Sequence, residues 1–235
     1  MRPLAADEVH LWWMSLAEPA WPEDELAALL DSEERERAAR FRFDVHRRRF
    51  VRAHGLLRQL LGAYVRAAPE SLQFATEKLG KPRLTGAARD LALSFNFSHA
   101  EDVALLGVGG GAALGVDIEV ERDVPELDAI SRSHFTRSEV CALQELPPAR
   151  RHEGFFAAWT RKEAYVKAQG GGLSVPLDSF EVSLRPDEPA ELRTIDGSVA
   201  QARAWTLWAG RPSTNSWAAM ATQVSGARVK SFALR

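Results

Sequence analysis

The sequence predicts an α+β fold in two α+β halves, and three observations carry that prediction. Strand-like and helix-like segments come in blocks: strand, helices, strands, then helices and strands again. Gly109-Gly110-Gly111 interrupts an apolar run at mid-chain, so the halves divide into 1–112 and 113–235. No low-complexity segment or long linker separates the blocks. The 235 residues, 46% hydrophobic and 26% charged, suffice for one large core or two small ones.

The elements follow in order. Residues 9–16 read as a strand with Trp12 and Trp13. Pro22-Glu23-Asp24 opens a helix expected to reach about residue 42, with acids in its first turn where the helix dipole favours them. A second helix is expected over 44–64, carrying Phe50, Val51, Leu57, Leu60 and Leu61. Phe74-Ala75-Thr76 is a short strand candidate before the Gly80-Lys81-Pro82 turn. Residues 91–97 alternate as a strand that stops at Ser98-His99, and 103–108 form another. The three glycines read as a hairpin turn leading to a strand at 113–120. From Pro125 the chain turns helical in pieces until Pro147-Pro148. Residues 152–169 form the strongest helix, stopped by Gly170-Gly171-Gly172. Strands at 180–184, 202–207 and 217–221 complete the second half.

Composition removes several function classes. A net charge of −2 and the lack of a nucleic-acid motif argue against nucleic-acid binding. The single cysteine, Cys141, excludes an internal disulfide framework and a cysteine-rich zinc site. No run of eighteen apolar residues could span a membrane, and Asp7, Glu8 and His10 break any signal-peptide pattern. A soluble cytoplasmic protein is expected. There is no phosphate-binding P-loop and no Gly-x-Ser-x-Gly elbow.

What remains is acidic. Gly115-Val116-Asp117-Ile118-Glu119 reads as a strand, so Asp117 and Glu119 point to the same side. On the helix 152–169, Trp159, Glu163 and Lys167 lie at i, i+4 and i+8 on one face. If strand and helix pack together, three carboxylates and an ammonium converge. That set suits a hard divalent cation, Mg²⁺ first, holding a phosphorylated substrate. Each part alone has a plainer use: a solvated edge strand for Asp117 and Glu119, a helix-stabilising pair for Glu163 and Lys167. Ser98 and His99 end a strand where a hydroxyl and an imidazole can meet phosphate, or can simply cap and pack. Lys81 sits in a turn that Pro82 stiffens. Residues 35–58 hold nine arginines against Glu36 and Asp44, mostly a solvated face, with one or two suited to a phosphate.

Taken together these segments resemble the phosphopantetheinyl transferases, in the larger monomeric type that acts on peptide and polyketide synthetases. The motifs stand in that family's order: GKP at 80–82, FNFSH at 95–99, GVDIE at 115–119, FT-x-x-E at 135–139 and WTRKEAYVK at 159–167, continued by GGGLSVPLDSFEV at 170–182. The likeness spans about 40–184. It implies two similar halves related by a pseudo-twofold axis, with coenzyme A bound in the cleft between them. It implies Asp117, Glu119 and Glu163 as ligands of Mg²⁺ (Mn²⁺ as a second choice). Lys81, Pro82, Ser98 and His99 match positions near the nucleotide, His99 close to its 3′-phosphate. Arg49 is the candidate for a further phosphate contact, and Lys167 faces the pyrophosphate.

The implied reaction moves 4′-phosphopantetheine from coenzyme A to a serine of an apo acyl or peptidyl carrier protein of peptide, polyketide or siderophore assembly, releasing 3′,5′-ADP. Glu163 is the expected base, acting directly or through a water held by the cation, and Lys167 neutralises developing charge. Residues 125–148, with Phe135, Val140 and Leu143, are expected to help dock the carrier. The competing reading is a non-catalytic sensor of coenzyme A or a nucleotide.

Overall fold

The computed structural model describes residues 4–76, 80–86 and 93–234. Its first sheet is four-stranded in the order β11-β1-β5-β4, from β1 (Glu8–Ser15), β4 (Ser94–Ala100), β5 (Val103–Gly109) and β11 (Arg228–Leu234). A second sheet has the order β6-β10-β9, from β6 (Leu114–Val120), β9 (Thr206–Gly210) and β10 (Ser216–Thr222). Two short antiparallel pairs complete the strands: β2 (Phe74–Thr76) with β3 (Pro82–Leu84), and β7 (Phe180–Val182) with β8 (Leu192–Ile195). The helices are α1 (Glu23–Ala28), α2 (Ser32–Ala39), α3 (Asp44–Val65), α4 (Leu127–His134), α5 (Arg137–Glu145), α6 (Arg151–Gln169) and α7 (Val199–Ala202). The architecture is mixed α+β. Among the described residues, no helix is long and apolar enough to cross a membrane.

Of the four buried clusters among the described residues, three organise the sheets and long helices. One gathers Leu56, Leu57, Leu60 and Leu61 of α3 with Phe95, Leu106 and Val108 of the first sheet. Another packs Phe155, Phe156, Tyr165 and Val166 of α6 against Phe180, Trp217 and Ala219. Between the sheets lie Leu11, Leu105, Leu114, Val116, Ile118 and Met220.

Close backbone approach fixes β6 in this arrangement. A Cβ on Gly115 would stand 2.1 Å from the Ala164 carbonyl, so only glycine lets β6 lie this near α6. A Cβ on Gly107 would meet Val116 Cγ1 at 2.6 Å, where β5 and β6 cross. On β10, Ala219 and Ala221 keep the sheet thin beneath α6.

Several expectations change. The single helix to residue 42 is two helices, because Asp31 caps α2. Its Oδ1 accepts from the Glu34 amide at 2.9 Å, and Glu34 Oε2 accepts from the Asp31 amide at 3.1 Å. The Arg58 guanidinium, fully buried, holds both acids of that box. The expected strand at 91–97 starts outside the described residues; β4 runs on through Ser98 and His99, which pair with Leu105 and Ala104. No hairpin joins β5 and β6. Both edges of β5 are already taken by β1 and β4, so the three glycines carry the chain from one sheet to the other. The strand expected at 202–207 begins at Thr206, because Ser198 caps the short α7 before it. The last strand, β11, leaves the second half and pairs in parallel with β1, Phe232 stacking on Trp12 at 4.6 Å.

Candidate active site

The acidic residues come together at one cleft of about 520 Å³. It is lined by Ser98 and His99 from β4, Asp117 and Glu119 from β6, Arg122, and Trp159, Glu163 and Lys167 from α6. The strand period and the helix period both place their side chains as the sequence predicts, and Gly115 sets the distance between the two elements. Asn96 adds a tie that the sequence did not single out: its Oδ1 accepts from the Val116 amide at 2.8 Å, holding β6 beside β4. The signal was there, since 96 and 98 share a strand face.

Asp117 is the centre. It is 4% exposed, and its Oδ1 accepts from Lys167 Nζ at 2.6 Å and from Ser98 Oγ at 3.1 Å. Lys167 Nζ also donates to Ser98 Oγ at 3.0 Å. The second oxygen, Oδ2, is buried and has no hydrogen-bond partner. A buried carboxylate oxygen left alone is costly, so the position is built for a partner that supplies positive charge. Glu119 takes a hydrogen bond from Arg122 at 2.9 Å. Burial, and then the charge of Asp117, push both Glu119 and Glu163 above the usual carboxylate range. Three acids crowd one another here, and the Lys167 ammonium and the Arg122 guanidinium only partly offset them.

Among the described residues, no three Asp, Glu, His or Cys side chains are gathered closely enough to hold a metal ion as they stand. Lys167 and Arg122 occupy two of the three carboxylates. The donor set nonetheless fits a hard cation: all-oxygen ligands, net negative charge and one buried oxygen without a partner.

The cleft changes sign toward His99. Its imidazole is open to solvent, yet the protein packed around it and then the charges of His54, Lys167, Arg37 and Arg49 hold it below its usual value. That positive field suits an anion. His54 and Arg37 were not distinguished by sequence reasoning, because nothing in the arginine-rich stretch says which side chains turn toward β4. An aromatic stack now shows it: Phe50 on His54 at 4.0 Å, and His54 against Phe97 at 6.5 Å.

Three predicted residues lie outside the cleft lining. Arg49 is held by Asp102 in a two-pronged contact, at 2.8 and 2.9 Å. Lys81 Nζ donates to the Leu114 carbonyl at 2.9 Å, at the start of β6. Pro82 begins β3. In the expected docking stretch, Phe135 and Leu143 are core residues and Val140 packs partly against them. The exposed groups of α4 and α5 are mostly polar, with Arg132, His134 and Arg137 among them.

Comparison with known proteins agrees along most of the chain. The family model described as the 4′-phosphopantetheinyl transferase superfamily matches residues 113–221, and one described as 4′-phosphopantetheinyl transferase, N-terminal, matches 18–108. The chain is 39% identical to the 4′-phosphopantetheinyl transferase HetI of a Nostoc species, over 93% of this chain and 89% of the relative. It is 33% identical to the 4′-phosphopantetheinyl transferase psf-1 of Bacillus pumilus, over 74% and 72%. It is 27% identical to the 4′-phosphopantetheinyl transferase Sfp of Bacillus subtilis, over 72% and 73%.

Proposed function

Since the chain belongs to the 4′-phosphopantetheinyl transferase superfamily, we propose that it transfers 4′-phosphopantetheine from coenzyme A to a serine hydroxyl of a carrier protein, releasing 3′,5′-ADP. The observation that supports this reading best is the orphaned Asp117 Oδ2 at the meeting point of three carboxylates and Lys167.

Asp117, Glu119 and Glu163 would hold Mg²⁺, or Mn²⁺ in its place. When bound, such a cation neutralises pyrophosphate oxygens and polarises the phosphoryl group under attack. The chain's own residues do the rest. Lys167, released from Asp117, turns its ammonium to the pyrophosphate and to charge building on the leaving group. The carrier serine Oγ forms a bond to the β-phosphorus of coenzyme A. The bond from that phosphorus to the bridging oxygen breaks, and 3′,5′-ADP leaves with the electron pair. The serine proton passes to Glu163, directly or through a water. His99, in the field of His54, Arg37 and Arg49, receives the 3′-phosphate, and Lys81 and Pro82, outside the cleft lining, would meet the nucleotide beyond it. A second cavity of about 500 Å³ opens beyond Glu163 and Lys167, with Val166, Val175, Pro176 and Leu177 on its wall. It gives the pantetheine arm a place to lie.

The carrier approaches over α4 and α5, where Arg132, His134 and Arg137 can meet an acidic recognition helix. We read the halves as related by a pseudo-twofold axis, each with one long helix, α3 or α6, packed on its sheet. The protein acts as a cytoplasmic monomer.

The test is intact-protein mass spectrometry of an apo carrier incubated with the enzyme, coenzyme A and Mg²⁺, with an EDTA control. A metal-dependent gain of about 340 Da, the mass of the transferred group, is the expected result. Coenzyme A binding without any gain across several carriers would turn the reading to a sensor.

A further inference from the structure

Glu34 divides its two oxygens between the fold and a histidine. Oε2 accepts from Arg58 Nε at 2.6 Å and from the Asp31 amide at 3.1 Å. Oε1 has one partner among the described residues, Nδ1 of His54 at 2.8 Å. Burial pushes the Glu34 carboxyl up, yet the hydrogen bond and charge of His54, then the charge of Arg58, bring it below its usual value. A carboxylate oxygen can only accept, so Nδ1 carries the hydrogen and Nε2 is the atom free to gain a proton. Phe50 stacks on the imidazole at 4.0 Å and fixes its plane. Nε2 makes no hydrogen bond among the described residues and is not one of the buried unpartnered atoms, so it reaches solvent.

The strand period puts Phe97 and His99 on one face of β4, and Asn96 and Ser98 on the other. Phe97 packs in the α3 cluster, and its ring meets His54 at 6.5 Å and His99 at 6.1 Å. One ring thus separates the two imidazoles. Of the charges that act on His99, that of His54 comes ahead of those of Lys167, Arg37 and Arg49. Asp31 and Glu34 meet Arg58 with one negative charge left over, and an imidazolium at 54 closes that balance. Arg58 is fully buried, so His54 is the cation of this group that can answer an anion from outside.

We propose that Glu34 is a positioning residue for the nucleotide end of the cleft: it fixes His54 with Nδ1–H toward the protein and Nε2 outward, so that an arriving 3′-phosphate draws His54 into its charged form and the enzyme selects a donor that carries one. A neutral ring offers the phosphate a lone pair at Nε2. A ring between the Glu34 carboxylate and a phosphate takes a proton from solvent and offers an N–H instead. The inference rests on the transferase reading and adds to it a specificity pair, Glu34 and His54, outside every motif that carries the family resemblance.

Coenzyme A and 3′-dephospho-coenzyme A differ only in the group concerned. The ratio of their kcat/KM values should fall about tenfold in His54→Gln, the loss of one charge-assisted contact. Glu34→Gln, which keeps an oxygen for the Asp31 amide as a capping box allows, should lower it by a similar factor. The double variant should fall no further than either single one. Calorimetry with 3′,5′-ADP and AMP reads the same preference without turnover, so a parent protein that binds but does not transfer counts against the transferase reading alone. The ¹⁵N shifts of the His54 ring in the full chain should become those of an imidazolium when 3′,5′-ADP is added and not when AMP is added, which covers the case in which Glu34→Gln does not fold. An unchanged ratio, an equal fall with both donors, additive losses in the double variant, or a ring that responds alike to both nucleotides would overturn the inference.

Discussion

Two lysines on α6 meet carboxylates in opposite ways. Lys162 is fully buried, and its ammonium donates to Glu139 at 2.8 Å, to the Leu177 carbonyl at 2.7 Å and to the Phe180 carbonyl at 2.8 Å. Glu139 in turn accepts from the Thr136 amide at 2.7 Å and from the Val182 amide at 2.8 Å. Every polar atom of that pair is used, and it staples α5, α6 and β7 together. Lys167 is partly exposed and bound to an aspartate whose other oxygen is orphaned. The difference separates a charge pair that the fold completes from one that it leaves open, as the proposed chemistry requires. The first is saturated by the protein. The second is left short, so that something arriving from outside completes it.

The largest effect should come from the unsaturated pair. Asp117→Asn keeps the shape and removes the charge, and should lower the rate of carrier modification by about two to three orders of magnitude. Its urea-unfolding midpoint should stay close to that of the parent, since Lys167 reaches solvent when Asp117 no longer holds it. Retention of more than about a tenth of the parent rate would place the chemistry elsewhere.

The saturated pair should give the reverse pattern. Lys162→Met leaves Glu139 charged and buried, and should cost about 3–5 kcal/mol in urea unfolding. Adding Glu139→Gln removes the stranded charge while keeping an oxygen for the Val182 amide, so the double variant should regain a good part of that loss. Equal stability of the single and double variants would mean that the stranded Glu139 charge is not what the Lys162→Met loss reports. The rate per folded molecule should change far less than in Asp117→Asn.

The contrast also marks what the sequence could say. Period alone placed Asp117 and Glu119 on one side of a strand, and Glu163 and Lys167 on one face of a helix. The approach of strand to helix rests on the missing side chain of Gly115, a feature that reads as an ordinary glycine until α6 lies over it. Lys162 and Glu139 sit in the motifs WTRKEAYVK and FT-x-x-E, yet nothing local shows that they meet, because α5 and β7 must first assemble around α6. The same holds for the sheets. Each strand of the β5–β6 region was legible, but not that β1 and β4 would claim both edges of β5. The C-terminal strand makes the point most strongly: β11 completes a sheet begun at residue 8, a pairing that no window of sequence contains.

Mg²⁺ sharpens the comparison without any change to the fold. If Asp117, Glu119 and Glu163 hold it, the melting temperature should rise with Mg²⁺, by an amount equivalent to about 2.7 kcal/mol at a hundred times the dissociation constant. The rise should vanish in Asp117→Asn and persist in Lys162→Met, measured relative to that variant's own lower baseline. A rise of equal size in all three proteins would assign the effect to general salt screening.

The smallest effect concerns Arg122, which bonds Glu119 from the rim of the cleft at 2.9 Å while 62% exposed. An exposed pair of this kind contributes little to stability, so Arg122→Ala should move the unfolding free energy by less than about 0.5 kcal/mol. Its effect belongs to the site. If the three acids hold a cation, Arg122 competes with it for Glu119; at the same time Arg122 offsets part of the repulsion among the acids. Without it, the carboxylates are more negative and one ligand is free. The Mg²⁺ concentration for half-maximal rate should fall by about two- to threefold, the size expected for a single screened surface charge. A rise in that concentration would mean that Arg122 holds Glu119 in the geometry the cation needs, and would move it from competitor to positioning residue.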